Sequence, residues 1–384
     1  MRIGIITFWQ SNDNYGQILQ CKALQQCLLE LGHSPYLIKY DFENRRQKLS
    51  FKKLVKKIFK FILIFPIIIS HNRETKFSKR KQEQGILNEK RKFIDFKNKY
   101  ILSSHCVYHS LKELKQNPPL ADAYITGSDQ VWAQLLDNNE NKVFFLDFGN
   151  RNTKRISYAP SFALEEYPRD LLGKLKNQLS IFDFISIREE TGRRILGSIG
   201  VEADLVLDPT LLLTINSYQP LLKQQKFNNY IYIYSLNIQS PDEICFSQLL
   251  ESISDKKIVV TTASGICQAS EIFDNVLYDY STIEDWLTNI RYADLFVTSS
   301  FHGIVFAIIL HTNFVFVPLK GHWAKMNNRV LDLLNSIGLS DRCLFAKNDY
   351  KTIISQSINW RDVDCKLDHL RKKSVLFLNK ALQQ

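Results

Sequence analysis

Short apolar runs alternate with helical stretches along most of the chain. In the first half, Ile3 to Phe8, Tyr36 to Ile38, Ala123 to Thr126, Arg155 to Tyr158, Phe184 to Ile187 and Leu205 to Leu207 read as strands. Helices such as Gln17 to Leu31 and Arg169 to Gln178 separate them. In the second half, Tyr230 to Tyr234, Ile258 to Thr261, Leu295 to Thr298 and Phe314 to Pro318 repeat the scheme, with helices near Pro241 to Ser252, Ile283 to Tyr292, His302 to Leu310 and Asn328 to Ser336. Strands that alternate with helices build parallel sheets. At 384 residues the chain exceeds the roughly 250 to 300 at which one core stops growing. The pattern therefore predicts an α/β protein of two domains, 1–215 and 216–384, joined near Leu211 to Gln224. Ligands of open parallel sheets bind beyond the carboxyl ends of the strands, so the residues there are the first candidates for a site.

The most informative such junction runs from Asp294 to Leu310. Leu295, Phe296 and Val297 meet a polar turn of Thr298, Ser299 and Ser300, followed by His302, Gly303 and a second apolar run. This predicts strand, turn and helix, with Ser299 or Ser300 as the N-cap and His302 in the first helical turn. Unpaired backbone N–H groups and the positive end of the macrodipole favour an anion there. The same field lowers an imidazole pKa, leaving it able to take a proton near neutrality. The plainer alternative is a buried helix that happens to begin with a histidine.

Three further junctions carry candidate chemistry. Asn14, Tyr15 and Gly16 follow the first strand, where a glycine either lets a ligand approach the backbone or only shapes the turn. Ser128, Asp129 and Gln130 follow the strand ending at Thr126, and each of the first two is as suited to capping a helix as to holding a sugar hydroxyl. Arg188 follows Phe184 to Ile187, and a guanidinium at a buried strand end is costly without an anion. Glu189 could be that anion, but adjacent residues on a strand point to opposite faces. An external phosphate or carboxylate is therefore the expected partner of Arg188.

The run from Ser299 to Gly303 resembles the S-x-x-H-G element of the polysaccharide pyruvyl transferase family. Other family-like phrases occur in the expected order: Ile3 to Gly32, Ile125 to Ala133, Val143 to Phe148, Lys154 to Ala163, Phe184 to Gly192, Val206 to Leu213 and Met326 to Arg342. The likeness spans nearly the whole chain apart from roughly residues 43 to 118. It implies two Rossmann-like domains facing a cleft, a glycosyltransferase-B-like arrangement. It also implies transfer of a pyruvyl group from phosphoenolpyruvate to two hydroxyls of one sugar, forming a cyclic ketal and releasing phosphate. In that chemistry the donor's methylene carbon is protonated, one hydroxyl attacks, phosphate leaves and the second hydroxyl closes the ring.

Carried over by motif, His302 and Arg188 are the catalytic candidates. Arg188, Ser299, Ser300, His302, Gly303, Lys320 and Arg329 would surround the donor. Asn14, Tyr15, Gly16, Ser128, Asp129 and Gln130 would face the acceptor, with Asp129 and Asp208 as partners of the sugar or as orienting groups. No metal or cofactor is implied, since phosphoenolpyruvate is a substrate. One departure matters: some members carry an arginine two residues before the histidine, where this chain has Ser300. A serine cannot supply that charge, so another cation must replace it or the donor differs. Lys320, His322, Lys325 and Arg329 follow the next strand, and Arg329 is the best suited because its planar fork matches a phosphate.

Charge sets one segment apart. Residues 51 to 100 hold 15 Lys and Arg against 4 Asp and Glu, a surplus equal to the formal net charge of +11 for the whole protein. Within it Phe51, Leu54, Val55, Ile58, Phe59 and Ile62 form one helical stripe, and Lys52, Lys53, Lys56, Lys57 and Lys60 fill the opposite face. The apolar run Phe61 to Ile69 follows, too short for the roughly 20 residues that span a bilayer. A basic helical insert over about 43–118 in the N-terminal domain is the expectation, lying on an anionic membrane surface. The competing reading packs that stripe on its own domain and leaves the lysines solvated. Nucleic acid is disfavoured because no stacking aromatics are interleaved among the basic residues.

Seven scattered cysteines without a C-x-x-C pair argue against a disulfide framework and for a reducing cytoplasm. A peripheral location at the inner face of the cytoplasmic membrane, with a lipid-linked oligosaccharide as acceptor, is the expectation that fits both signals. Two alternatives stand beside it: a nucleotide-sugar glycosyltransferase of similar architecture, and a sugar-binding component of a polysaccharide assembly complex that has lost catalysis.

Overall fold

The computed structural model describes residues 1–9, 14–41, 89–253, 255–263, 271–345 and 349–383. Two wholly parallel sheets organise them. The first contains β1 (Arg2–Ile6), β2 (Ser34–Tyr40), β3 (Ser103–Tyr108), β4 (Ala123–Thr126), β5 (Lys154–Ser157), β6 (Phe184–Ile187) and β7 (Asp204–Leu205), in the spatial order β3, β2, β1, β4, β5, β6, β7. The second contains β8 (Tyr230–Ser235), β9 (Lys257–Thr262), β10 (Leu277–Tyr278), β11 (Leu295–Thr298) and β12 (Phe314–Phe316), ordered β10, β9, β8, β11, β12. The longer helices are α1 (Tyr15–Glu30), α2 (Phe93–Tyr100), α3 (Leu172–Leu179), α4 (Glu190–Ser198), α5 (Ile283–Arg291), α6 (Phe301–Ile309), α7 (Asn328–Ile337) and α8 (Trp360–Gln383). This is the α/β architecture of two Rossmann-like domains expected from the alternating pattern.

The strand order reverses beside β1 in the first sheet and beside β8 in the second. In each sheet the crevice for a ligand opens at that reversal, between β1 and β4 and between β8 and β11. Gly127 to Gln130 leave β4 and Ser299 to Gly303 leave β11. The two most suggestive phrases of the sequence therefore stand at the two switch points.

The seam between the domains is a packed core. Tyr15, Ile18 and Leu19 of α1 are buried with Trp286 of α5 and Phe306 of α6. Tyr15 stacks on Trp286 with centroids 4.9 Å apart and donates its hydroxyl to the Ser281 carbonyl at 2.7 Å. Burial of several aromatic side chains at about 1.5 to 3 kcal/mol each fixes the domains face to face.

Two segments differ from expectation. Residues 89–118, assigned to the basic insert, instead supply α2 and β3 to the first domain. Phe93 and Phe96 are buried in the seam, and β3 pairs with β2 as the sheet's edge. The amphipathic helix expected over 51–62 and the run Phe61 to Ile69 lie outside the described residues. The second difference is α8, which begins against the second domain through Val363 and Leu367 and ends on the first, where Phe377, Leu378 and Leu382 join Ile3, Leu24 and Ile125. The strands of the first sheet all precede residue 215 and those of the second all follow it, while α8 packs on both. Among the described residues no helix is long and apolar enough to cross a membrane.

Candidate functional site

Helix α6 is built as its sequence requires. Ser300 is its N-cap, with Oγ accepting the Gly303 N–H at 3.2 Å, and Ser299 donates its hydroxyl to the Leu236 carbonyl at 2.6 Å. A Cβ on Gly303 would lie 2.8 Å from Thr298 Oγ1, so the turn admits only glycine without displacement. His302 thereby lands in the first turn of α6, at the seam, with its side chain 10% exposed.

Across the seam stands a network of buried charge. The Arg188 guanidinium, 2% exposed, donates from Nη1 to Asp208 Oδ2 at 2.9 Å and to Ser128 Oγ at 3.5 Å. Asp208 also accepts from the Ser128 hydroxyl at 2.9 Å and, through Oδ1, from the Thr210 N–H at 3.0 Å and hydroxyl at 2.6 Å. His302 Nε2 lies 3.6 Å from Asp208 Oδ2. Burial works to raise the Asp208 pKa, but His302, Arg188 and Thr210 outweigh it and hold the carboxyl well below the usual range. Burial likewise opposes the Arg188 charge, yet Asp208, Glu189 and Asp129 together raise its pKa.

The partner of Arg188 is therefore internal, where the sequence suggested an external anion. Asp208 fills that place, and Glu189 contributes at 3.7 Å from Arg188 Nε. The alternation argument against Glu189 lapses because β6 ends at Ile187 and Glu189 is the N-cap residue of α4. Its other oxygen accepts from the Ser161 hydroxyl at 2.8 Å and the Phe162 N–H at 3.1 Å.

Arg329, in the first turn of α7, completes the group from the second domain. With the Gln130 amide oxygen turned toward it, Arg329 donates from Nη1 at 3.0 Å and Nη2 at 3.2 Å, a direct bond between the domains. Both guanidiniums approach one ring, Arg188 at 4.6 Å and Arg329 at 5.6 Å from the Phe301 centroid. Burial and then the charge of Arg188 pull the Arg329 pKa down to about 10. Asp129 sits beside them with φ 78° and ψ −172°, a conformation that costs a non-glycine residue on the order of 1–3 kcal/mol. It is held by the Ser161 N–H, which donates to its carbonyl at 2.8 Å.

The remaining candidates are placed as follows. Asn14 caps α1 by accepting the Gln17 N–H at 3.1 Å. Tyr15 is fully buried in the aromatic seam, its hydroxyl directed at the Ser281 carbonyl rather than at the charged group. Gly16 lies against His302, and a Cβ there would be 2.1 Å from Nδ1. Lys320 is exposed and lines a different cavity of about 330 Å³ with Glu243, Phe345 and Asp349. The structure thus gathers Ser128, Asp129, Gln130, Arg188, Asp208, His302 and Arg329, and leaves Lys320 apart. Phe301 belongs to the group but was not singled out from the sequence, and Glu189, set aside there as a partner of Arg188, belongs to it as well.

Several buried polar atoms in this group have no hydrogen-bond partner: Arg188 Nε and Nη2, Glu189 Oε2, His302 Nε2 and Arg329 Nε. Each such atom costs free energy while it stays unmade. The sequence profile of the polysaccharide pyruvyl transferase family matches residues 14–321, most of the chain. The chain belongs to that family. A search of curated proteins returns no match. Among solved structures, the UDP-GlcNAc 2-epimerase of Methanocaldococcus jannaschii, in complex with UDP-GlcNAc and UDP, is similar at 13% identity and a TM-score of 0.46, over 96% of this chain and 93% of that one. The Rickettsia bellii UDP-N-acetylglucosamine 2-epimerase gives 12% and 0.47 over 100% and 98%, and Acinetobacter baumannii MurG gives 9% and 0.43 over 100% and 99%.

Proposed function

We propose that this member of the family moves a pyruvyl group from phosphoenolpyruvate to two hydroxyls of one sugar in a cell-surface glycan, such as a capsular polysaccharide or exopolysaccharide, or in its lipid-linked precursor. The observation that supports it best is the set of unpartnered atoms on Arg188 and Arg329 beside His302, flanked by the Asp129 and Glu189 carboxylates. A donor with a carboxylate and a phosphate supplies the acceptors that two guanidiniums lack. Arg329 then takes the place of the arginine that some members of the family carry where this chain has Ser300.

In this reading the methylene carbon gains a proton, the ketal carbon gains two C–O bonds, and the C–O bond to phosphate breaks. The two hydroxyl protons balance the step, one appearing on the new methyl group and one on the released phosphate. His302 is the group that moves a proton, with Asp208 holding its ring and stabilising its charged form. Ser128, Asp129 and Gln130, at the first sheet's switch point, face the acceptor.

The test is phosphate release from phosphoenolpyruvate with and without sugars bearing neighbouring hydroxyls. Acceptor-dependent release and a product heavier by one pyruvyl ketal are expected. Release that never depends on a sugar, or no release at all, defeats the reading. The sequence of residues 51–69 adds that the enzyme works at the inner face of the cytoplasmic membrane. Binding to anionic vesicles should then weaken with salt, because each basic residue near the surface contributes about 1 kcal/mol that salt screens. Protein that ignores such vesicles at low salt leaves the lysines merely solvated.

A further inference from the structure

Behind Arg188 the seam opens into a second pocket, of about 130 Å³. Buried Arg188, Asp208 and Phe301 form its floor, with Arg329 beside them. Leucines such as Leu207, Leu333 and Leu370 form its walls, and Glu190, Asp332 and Lys373 stand at its rim toward solvent. Chemistry differs sharply along its depth. An apolar cavity of ~150 Å³ holds one benzene ring, so this one accommodates a small hydrocarbon group. A sugar hydroxyl placed between the leucines would lose its hydrogen bonds to water without replacement. At the rim Glu190 is paired with Arg193 at 2.9 Å and Asp332 stands opposite Lys373, so the rim offers a phosphate no unpaired cluster of cations, whereas the two arginines at the floor attract one.

Those constraints leave one orientation for an enolpyruvyl donor. Its two anionic groups turn toward Arg188 and Arg329, and its only apolar substituent, the methylene, enters the leucine-walled pocket. We propose that this pocket is the methylene subsite and that the protein therefore accepts 2-phospho-enol acids bearing an alkyl group on that carbon. The proposal rests on the pyruvyl-transfer reading. The reaction is the same with such a homologue: the substituted carbon gains the proton, both sugar oxygens bond to the adjacent carbon, and phosphate leaves with the second hydroxyl proton.

The probes are phosphoenolpyruvate and its methyl homologue, phosphoenolbutyrate, with phosphate release and thermal stabilisation as readouts. The wild type should use the homologue with kcat/KM within about 200-fold of phosphoenolpyruvate, the most that one methylene in a fitting apolar pocket changes binding. Ser336 is exposed at the pocket mouth, so Ser336→Trp plugs the pocket without entering the core. It should lower kcat/KM for the homologue at least about tenfold more than for phosphoenolpyruvate, and Leu370→Phe should act in the same direction. Rejection of the homologue by an enzyme that turns over phosphoenolpyruvate overturns the proposal, as does a plug that affects both donors equally. If neither donor releases phosphate, the pyruvyl-transfer reading falls. The pocket assignment then survives only if the homologue raises the melting temperature and Ser336→Trp removes that shift. No shift with either donor overturns both.

Discussion

At the carboxyl edge of the first sheet, side chains bond to side chains. Asp208 ties Arg188, Ser128 and Thr210 together, and Glu189 ties Ser161 to the same guanidinium. At the carboxyl end of β11 in the second sheet, side chains bond to backbone. Thr298 donates to the Tyr234 carbonyl, Ser299 to that of Leu236, and Ser300 caps α6. One edge is an assembly of buried charges in which every member depends on the others. The other is a neutral turn whose work is to present His302. Removing a member of the first should therefore cost stability and activity together, and removing the presented group of the second should cost activity alone.

The largest effect should come from Asp208→Ala. Deleting one partner of a buried pair leaves the Arg188 charge uncompensated, at about 3–5 kcal/mol of unfolding free energy, read from urea midpoints. The same residue sets an acid limit. A carboxyl whose folded pKa is depressed stabilises the protein above its unfolded value of about 4, and that stability is lost as pH falls further. Asp208→Asn should flatten the acid limb of a stability–pH profile below about pH 4. A steep limb in that variant would assign acid sensitivity to other groups.

His302→Gln comes next, with turnover lower by about 100-fold and a melting temperature close to wild type. A large drop in melting temperature would erase the contrast between the two edges. Gly16→Ala should reach the same histidine from the other domain, since its Cβ would meet Nδ1 at 2.1 Å. Displacement of the ring should lower kcat about tenfold, with Gly16→Ser no better. The smallest expected change is Ser300→Ala, which removes the cap of α6 for about 1 kcal/mol of stability and leaves donor KM unchanged. A raised donor KM in that variant would make the serine a ligand rather than a cap.

Legibility followed the hydrophobic pattern. Strands buried on both faces, such as Ala123–Thr126 and Leu295–Thr298, have the same ends in sequence and structure because an apolar run bounded by small polar residues leaves little choice. β3 gave no such signal: none of its residues is buried, and it is held as an edge by pairing with β2. In α8 the apolar positions Val363, Leu367, Phe377 and Leu378 keep helical spacing but are diluted by charge. At the site, Ser300 and His302 were readable from local order. The Arg329 contact with Gln130 was not, since it depends on how the two domains meet. Glu189 was misjudged for a local reason, the strand ending two residues before it.

The path of α8 has a consequence for how the protein is made. The first sheet is complete by Leu205, yet the Leu207 N–H bonds to Ser374 Oγ at 2.9 Å, and Phe377, Leu378 and Leu382 cover Ile3 and Ile125. A nascent chain therefore leaves the ribosome with one face of its earliest domain uncovered until the second domain has been synthesised. During that interval Ile3, Leu24 and Ile125 are open to chaperones or to premature association. Truncation upstream of Ser374 would make that exposure permanent, so a shortened chain should aggregate through its first domain while its second sheet stays intact.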